Sequence, residues 1–230
     1  MKKFTKSTIF IFSLFSLLVL FLWNADLKTG MMNNTGTWTV GVMVLEEGED
    51  EFDIKSKLNS NFFFKVPTQS ANTGDSIYFL ADPFLYRHMD TTYLFVATVV
   101  YDREGAYICT YRISDDLKEF EYLGIALKEP FHLSYPQVIE VGKEIFLIPE
   151  TQGGDSSFVY RSKAFPLEWE KSHYLLPQQI KDPTLVPKDK ISGDFYYTKD
   201  GLLLRRSYIY ENDKFKIGER EYVKTGTAFR

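Results

Sequence analysis

Three acidic residues of the sequence occupy positions from which they could act on one substrate. Asp82 and Asp182 each stand directly before a proline, and Glu150 directly follows one. A pair of carboxyl groups, one protonated and one ionised, is the equipment that most enzymes use to cleave a glycosidic bond. Aspartate before proline is also a common start of a turn, so these positions leave a structural role open.

The residues around these positions form a repeat of predicted β-strands. Short runs rich in Val, Ile, Phe and Tyr, separated by Gly, Asp, Asn and Pro, are typical of strands. Three copies begin at Asp82-Pro83-Phe84-Leu85, Tyr135-Pro136-Gln137-Val138 and Asp182-Pro183-Thr184-Leu185, and their second strands follow at 93–96, 145–148 and 195–197. A third strand follows in each copy at 107–112, 158–161 and 202–206, and a turn and a fourth strand complete it. The prolines recur about every 50 residues, a period typical of propellers and solenoids.

Four antiparallel strands in a repeat of this length form the blade of a β-propeller. We therefore predict an all-β fold, with about four such blades in residues 38–230. Aromatic residues make up 17% of the chain and would fill the faces between blades. Each proline is expected at the first position of an innermost strand, where it has no hydrogen bond to donate. The residue before it is expected to be extended and to point toward the central channel.

The amino-terminal residues predict an attachment to a membrane. Residues 1–6 are basic, residues 7–23 form an uncharged apolar run, and residues 24–37 are polar and typical of a linker. The run has about the minimum length of a membrane-spanning helix, and the positive charge before it predicts a cytoplasmic amino terminus. We expect a single-pass signal anchor with the propeller outside the cytoplasm. A removable signal peptide is the alternative.

Composition excludes several other classes of protein. The net charge of −4 offers no basic surplus for binding nucleic acid. The single cysteine, Cys109, excludes an internal disulfide and a cysteine-based zinc cluster. The sequence contains no phosphate-binding glycine loop and no His-Glu-x-x-His motif. The acidic run at 46–53 lacks the spacing of a calcium loop, so we expect neither a metal nor a cofactor.

Several motifs, taken in order, resemble a known family. They are Ala81-Asp82-Pro83-Phe84, Phe131-His132-Leu133-Ser134-Tyr135-Pro136, Ile148-Pro149-Glu150-Thr151, Phe165-Pro166 with Trp169, and Asp182-Pro183-Thr184. They resemble the amino-terminal domain of plant glucosamine inositolphosphorylceramide transferases over roughly residues 38–230. That domain is similar in turn to the five-bladed propellers of the glycoside hydrolase superfamily that contains arabinanases, invertases and levansucrases. The resemblance implies a carbohydrate or glycoconjugate ligand. It also implies five blades, whereas the repeats in the sequence predict about four.

The resemblance also implies roles for the acidic residues. Asp82 would be the base, Glu150 the general acid, and Asp182 would orient the sugar or raise the pKa of the acid through like-charge repulsion. Tyr135 and Ala97 stand where those hydrolases would have acidic residues. This departure favours an alternative, a non-catalytic domain that binds glycans or serves as a scaffold and assists a glycosyltransferase.

Three further residues are candidates for contact with a sugar. His132 and Tyr135 could donate hydrogen bonds to hydroxyl groups, and Trp38 or Tyr135 could stack on a pyranose ring. A single histidine between repeats is also typical of a hydrogen-bonded structural residue. A propeller with a missing blade would expose a strand edge and an apolar face, which favours self-association.

Overall fold

The computed structural model describes residues 40–43, 63–65, 77–100, 105–116 and 119–224. These residues form β-strands and turns and contain no helix. Among them, therefore, no helical segment has the length and hydrophobicity that a membrane crossing requires. The fold class predicted from the repeats, all-β, is confirmed.

Some of the predicted features lie outside the described residues. They are the basic segment 1–6, the apolar run 7–23, the linker 24–37 and the candidate Trp38. Two short strands, β1 (Gly41–Met43) and β2 (Phe63–Lys65), pair in antiparallel fashion and lie before the first repeat.

Three larger sheets follow, and each runs antiparallel from one strand to the next along the chain. The first contains β3 (Ile77–His88), β4 (Thr91–Val100), β5 (Ala106–Ile113) and β6 (Phe120–Leu127). The second contains β7 (His132–Val141), β8 (Glu144–Gln152), β9 (Ser157–Ala164) and β10 (Glu168–Leu176). The third contains β11 (Lys181–Pro187), β12 (Ser192–Lys199), β13 (Leu202–Glu211), β14 (Lys214–Ile217) and β15 (Glu221–Lys224). The predicted repeat of four strands is thereby confirmed.

The outer strand of the third sheet is broken into two pieces. Both β14 and β15 pair with β13, one along Tyr208–Glu211 and the other along Leu203–Arg205. The break falls at Gly218, whose N–H donates to the carbonyl of Ser207 at 2.9 Å. A Cβ at this glycine would come within 2.2 Å of Ser207 Oγ, so a larger residue there would require the Ser207 side chain to rotate away.

The first strands of successive sheets lie beside one another, with β7 in contact with both β3 and β11. Up-and-down sheets arranged through their first strands in this way are blades of a β-propeller. Apolar side chains fill the space between blades. Phe95, Ile108, Leu133, Leu147 and Tyr160 are buried between the first and second sheets, and Phe146, Ile148, Leu185, Phe195 and Tyr197 between the second and third. The expected use of aromatic residues between blades is confirmed.

The first strand of each sheet contains a β-bulge at its proline. The pairing shifts between Ala81 and Phe84, between Ser134 and Gln137, and between Lys181 and Thr184. The expectation that each proline begins its strand was wrong, because the prolines lie inside the strands. A bulge leaves one residue of the strand unpaired, and a proline without an N–H fits there at no cost in hydrogen bonds.

The residues before these prolines have a left-handed backbone. Their φ angles are 49° at Asp82, 50° at Tyr135 and 52° at Asp182. The prediction of an extended backbone at these three positions was wrong. A positive φ is uncommon for residues other than glycine and is kept only where the surrounding structure enforces it. Here the bulge redirects the strand, and the same unusual conformation recurs in all three sheets.

Candidate functional site

The carboxylate of Asp82 joins the first sheet to the second. Its Oδ2 accepts a hydrogen bond from the backbone N–H of Tyr135 at 3.2 Å. Each of the two residues lies at the bulge of its own inner strand. A carboxylate of one blade is therefore bonded to the left-handed residue of the next.

A second carboxylate repeats this arrangement one blade further along the chain. Glu150, near the end of β8, accepts a hydrogen bond at Oε2 from the backbone N–H of Asp182 at 3.1 Å. Glu150, an acidic residue of the second sheet, thus binds the backbone at the bulge of the third sheet. The structure brings the predicted residues Asp82, Tyr135, Glu150 and Asp182 to one region of the inner strands.

The electrostatic surroundings set Glu150 apart from other acidic residues. Burial raises the pKa of its carboxyl group, and the negative charges of Asp182 and Asp82 raise it as well. The N–H of Asp182 and the ammonium group of Lys181 lower this pKa in part. The raised pKa means that Glu150 binds a proton more readily than an exposed glutamate does, a property that a general acid requires.

The side chain of Tyr135 spans the space between inner strands. Its hydroxyl group lies 3.1 Å from Thr184 Oγ1, on the third sheet. Phe84, on the first sheet, meets the Tyr135 ring edge-on at a centroid distance of 4.8 Å. Tyr135 therefore connects all three sheets and lies beside the carboxylates.

Gln137 is a residue of this region that the sequence analysis missed. Its amide binds the backbone of Leu185 twice, donating from Nε2 to the carbonyl at 2.9 Å and accepting at Oε1 from the N–H at 2.7 Å. This pair of bonds holds β7 to β11. A polar residue in an otherwise apolar stretch after Pro136 was the signal that could have indicated it.

His132 has a structural contact that limits its chemistry. Its Nδ1 accepts a hydrogen bond from the N–H of Ala106 at 3.1 Å, which ties the second sheet to the first. Burial lowers the pKa of the ring, and the charge of Asp82 raises it in part. With Nδ1 accepting, the neutral ring carries its proton on Nε2, which leaves a single donor for any further contact.

A cleft of about 640 Å³ lies beside Glu150, lined from both the second and the third sheets. Its walls include Gln178, Gln179, Lys181 and Lys199. The sequence analysis did not identify these residues, because the segment that joins β10 to β11 has no motif of its own. Its two consecutive glutamines after Pro177 were the available signal.

The described residues contain no group of three or more His, Cys, Asp or Glu side chains arranged to hold a metal ion. Asp82 and Glu150 each accept a hydrogen bond from a backbone N–H group.

Fold and site together define an all-β protein of four-stranded antiparallel blades, with a set of carboxylates at the inner strands. Residues 31–201 match the family model described as glucosamine inositolphosphorylceramide transferase 1, N-terminal. The chain belongs to this family, and the resemblance inferred from its motifs is confirmed.

Relatives of known name agree with this assignment. Glucosamine inositolphosphorylceramide transferase 1 of Oryza sativa subsp. indica is 33% identical over 166 residues, which cover 67% of this chain and 22% of the relative. The protein of the same name from Arabidopsis thaliana is 32% identical over 171 residues, which cover 69% of this chain and 22% of the relative. The chain thus spans about a fifth of the length of these relatives.

Among solved structures, a GH32 beta-fructofuranosidase of Bombyx mori aligns with 79% of this chain and 47% of its own. The TM-score is 0.49 and the sequence identity 12%. The assignment of propeller blades therefore rests on the strand order and pairing of the chain itself.

Proposed function

We propose that this chain is a carbohydrate-active domain that binds the saccharide part of a glycoconjugate at Asp82, Glu150 and Asp182. The observation that carries the proposal is the convergence of these three carboxylates from three successive sheets. A carboxylate accepts several hydrogen bonds, so one bond to the backbone leaves it able to bind sugar hydroxyl groups as well. A few converging polar groups beside a cleft are typical of sites for small polar ligands.

An amino sugar is the saccharide that suits three neighbouring carboxylates best. Its ammonium group would form charge-assisted hydrogen bonds with them, and these are stronger than bonds between neutral groups. The relatives carry glucosamine in their name. They are much longer proteins, and we propose that this domain supplies saccharide recognition to a glycosyltransferase reaction without performing the transfer.

The test is a glycan array probed with the full chain, followed by titration with glucosamine and with N-acetylglucosamine. We expect binding to glucosamine to fall about tenfold or more in Asp82→Asn and in Glu150→Gln, because each loses a charge-assisted bond. Glu168→Gln, an exposed carboxylate on the outer strand β10, is the matched control and should bind as the unchanged chain does. Equal binding by all three variants, or no binding to any glycan, would overturn the proposal.

Hydrolysis of a glycosidic bond is the second candidate function. The raised pKa of Glu150 favours it, since a general acid must hold its proton near the working pH. Asp82 would act as the base, and Asp182 would orient the sugar. Mass spectrometry of an array-positive oligosaccharide after incubation tests this role. Products that vanish in Asp82→Asn would support hydrolysis, whereas binding without products would leave recognition as the function.

We also propose that residues 7–23 anchor the chain in a membrane, with residues 1–6 in the cytoplasm and the propeller outside it. The apolar run and the lysines before it support this orientation. Protease treatment of intact cells that express the full chain with an amino-terminal tag is the test. Digestion of the propeller with protection of the tag is the expected result. A propeller that is protected would overturn the orientation, and one that is released into the medium would indicate a cleaved signal peptide.

A further inference from the structure

The cleft between the second and third sheets shares one residue, Glu150, with the set of carboxylates. Glu150 lines the cleft, and its Oε2 is bonded to the N–H of Asp182. The volume of about 640 Å³ lies in the middle of the range of pockets that hold drug-sized ligands. The space is larger than one pyranose ring requires.

The segment 177–180 between β10 and β11 is fixed to both sheets by its two glutamines. Gln178 accepts a hydrogen bond at Oε1 from Lys199 Nζ, on the third sheet. Gln179 donates from Nε2 to the carbonyl of Gly154, in the turn between β8 and β9 of the second sheet. Because both walls hold this segment, the cleft is formed before a ligand arrives, and the ordering cost on binding is small.

The lining of the cleft alternates hydrogen-bond donors with acceptors. The amides of Gln152, Gln178 and Gln179 supply both, Lys199 supplies donors, and Glu150 supplies acceptors. Each amide already used in a bond to the protein keeps its other polar atom for a ligand. A ligand whose surface carries both donors and acceptors, such as a polyhydroxylated sugar, matches this lining.

We propose that the cleft is a second saccharide subsite, in which Gln178 and Lys199 bind the sugar unit that follows the one held by the carboxylates. The proposal rests on the proposed saccharide binding and adds that the ligand is an oligosaccharide of two or more units. Glu150 contacts both units, because it lies where the two compartments meet. Asp82 contacts the first unit only.

Titration calorimetry of the full chain with glucosamine and with its β-1,4-linked disaccharide and tetrasaccharide tests the subsite. We expect the disaccharide and tetrasaccharide to bind at least about tenfold more tightly than the monosaccharide, because they add two or more hydrogen bonds. In Gln178→Ala and Lys199→Ala this gain should disappear, so that the oligosaccharides bind no more tightly than the monosaccharide does. Lys143→Ala, an exposed lysine in the turn between β7 and β8, is the control and should keep the gain.

The outcomes separate this inference from the proposed function. Glucosamine binding that depends on Glu150 but does not strengthen with length would overturn the subsite and leave saccharide recognition standing. A gain with length that persists in both cleft variants would also overturn it. Absence of binding by all three probes would overturn both. Thermal unfolding of each variant identifies any loss that comes from misfolding.

Discussion

The Asp82 carboxylate accepts a hydrogen bond from the N–H of Tyr135 at 3.2 Å, across 53 residues of sequence. Both residues stand before prolines and both have a positive φ. The bond therefore connects the bulges of two neighbouring blades. The bond of Glu150, on β8, to Asp182 connects the second sheet to the bulge of the third sheet, so the acidic residues of the site also contribute to the packing of the blades.

Asp82 carries a charge and also accepts a hydrogen bond. We therefore predict that two substitutions can separate its effect on saccharide binding from its effect on the free energy of unfolding. Asp82→Asn keeps an oxygen that can accept from Tyr135, so we expect little change in the free energy of unfolding and a clear loss of saccharide binding. Asp82→Ala removes the acceptor and should lower the free energy of unfolding by about 1–3 kcal/mol. Urea denaturation measures both. Asp90→Ala, in an exposed turn, is the control, and equal losses in Asp82→Ala and in Asp90→Ala would contradict the structural role.

The two bonds of Gln137 predict a larger effect than one bond would give. Gln137→Ala leaves the N–H and the carbonyl of Leu185 without their partner, and we expect the free energy of unfolding to fall by about 2–4 kcal/mol. Gln137→Glu keeps an acceptor for the N–H but puts a carboxylate oxygen against the carbonyl of Leu185, so it should lose at least as much at neutral pH. Urea denaturation gives the values, with the exposed Gln152→Ala as the control. If Gln137→Ala lowers the free energy of unfolding by less than Gln152→Ala does, the Gln137 amide does not stabilise the contact between β7 and β11.

Gly193 predicts a steric effect. A Cβ there would lie 2.2 Å from the carbonyl oxygen of Val186 and 2.8 Å from the Tyr208 ring. Gly193→Ala must push β11 and β12 apart, so we expect a loss of about 3 kcal/mol or more in the free energy of unfolding. Gly201→Ala is the control, because no atom lies within 4 Å of its Cβ although its φ is +74°. Backbone strain alone should cost it about 1–2 kcal/mol, and a loss at Gly193 no larger than this would contradict the steric argument.

His173 predicts a decline in stability toward acid pH. Its Nε2 accepts a hydrogen bond from the backbone N–H of Phe215 at 3.2 Å, and this bond joins β10 to β14. The pKa of the ring is lowered from 6.5 to about 4, mainly by burial and in addition by the charges of Arg161 and Lys214, while Glu144 raises it in part. In the unfolded chain His173 therefore binds a proton below pH 6.5, whereas in the folded chain it binds one only near pH 4. The contribution of His173 to stability should therefore be constant above this window and be lost within it as the pH falls.

The measurement is the free energy of unfolding between pH 7 and pH 4, together with the NMR titration of the ring of His173. The lowered pKa of His132 adds a decline of the same sign, so the comparison is made with His173→Gln. This variant should show a shallower dependence on pH than the unchanged chain. Parallel curves for the two proteins, or a titration midpoint at the ordinary value for histidine, would contradict the prediction.

Much of the architecture could be predicted from local patterns. Alternating apolar residues and turn-forming residues determine where strands begin and end, and the spacing of the prolines predicted a repeat of four strands. Asp82 and Asp182 were identified because they recur before prolines, and Glu150 because its motif resembles the family. All three lie in the region where the inner strands meet.

The backbone at the prolines could not be predicted in the same way. A residue before proline is normally extended, yet Asp82, Tyr135 and Asp182 are left-handed because the bulges depend on the register between paired strands. That register is set by contacts along the whole sheet. No local property of a dipeptide reports it.

By itself, the sequence determined the strands, their repetition and the chemical type of the residues at each bulge, because these follow from short-range periodicity and composition. Only the tertiary structure decided which backbone N–H each carboxylate binds, how Gln137 holds Leu185, and that Gln178 and Lys199 meet across a cleft. Each of these contacts joins residues that are more than 20 positions apart in the sequence. Their distances depend on how the blades pack, and packing is a property of the whole chain.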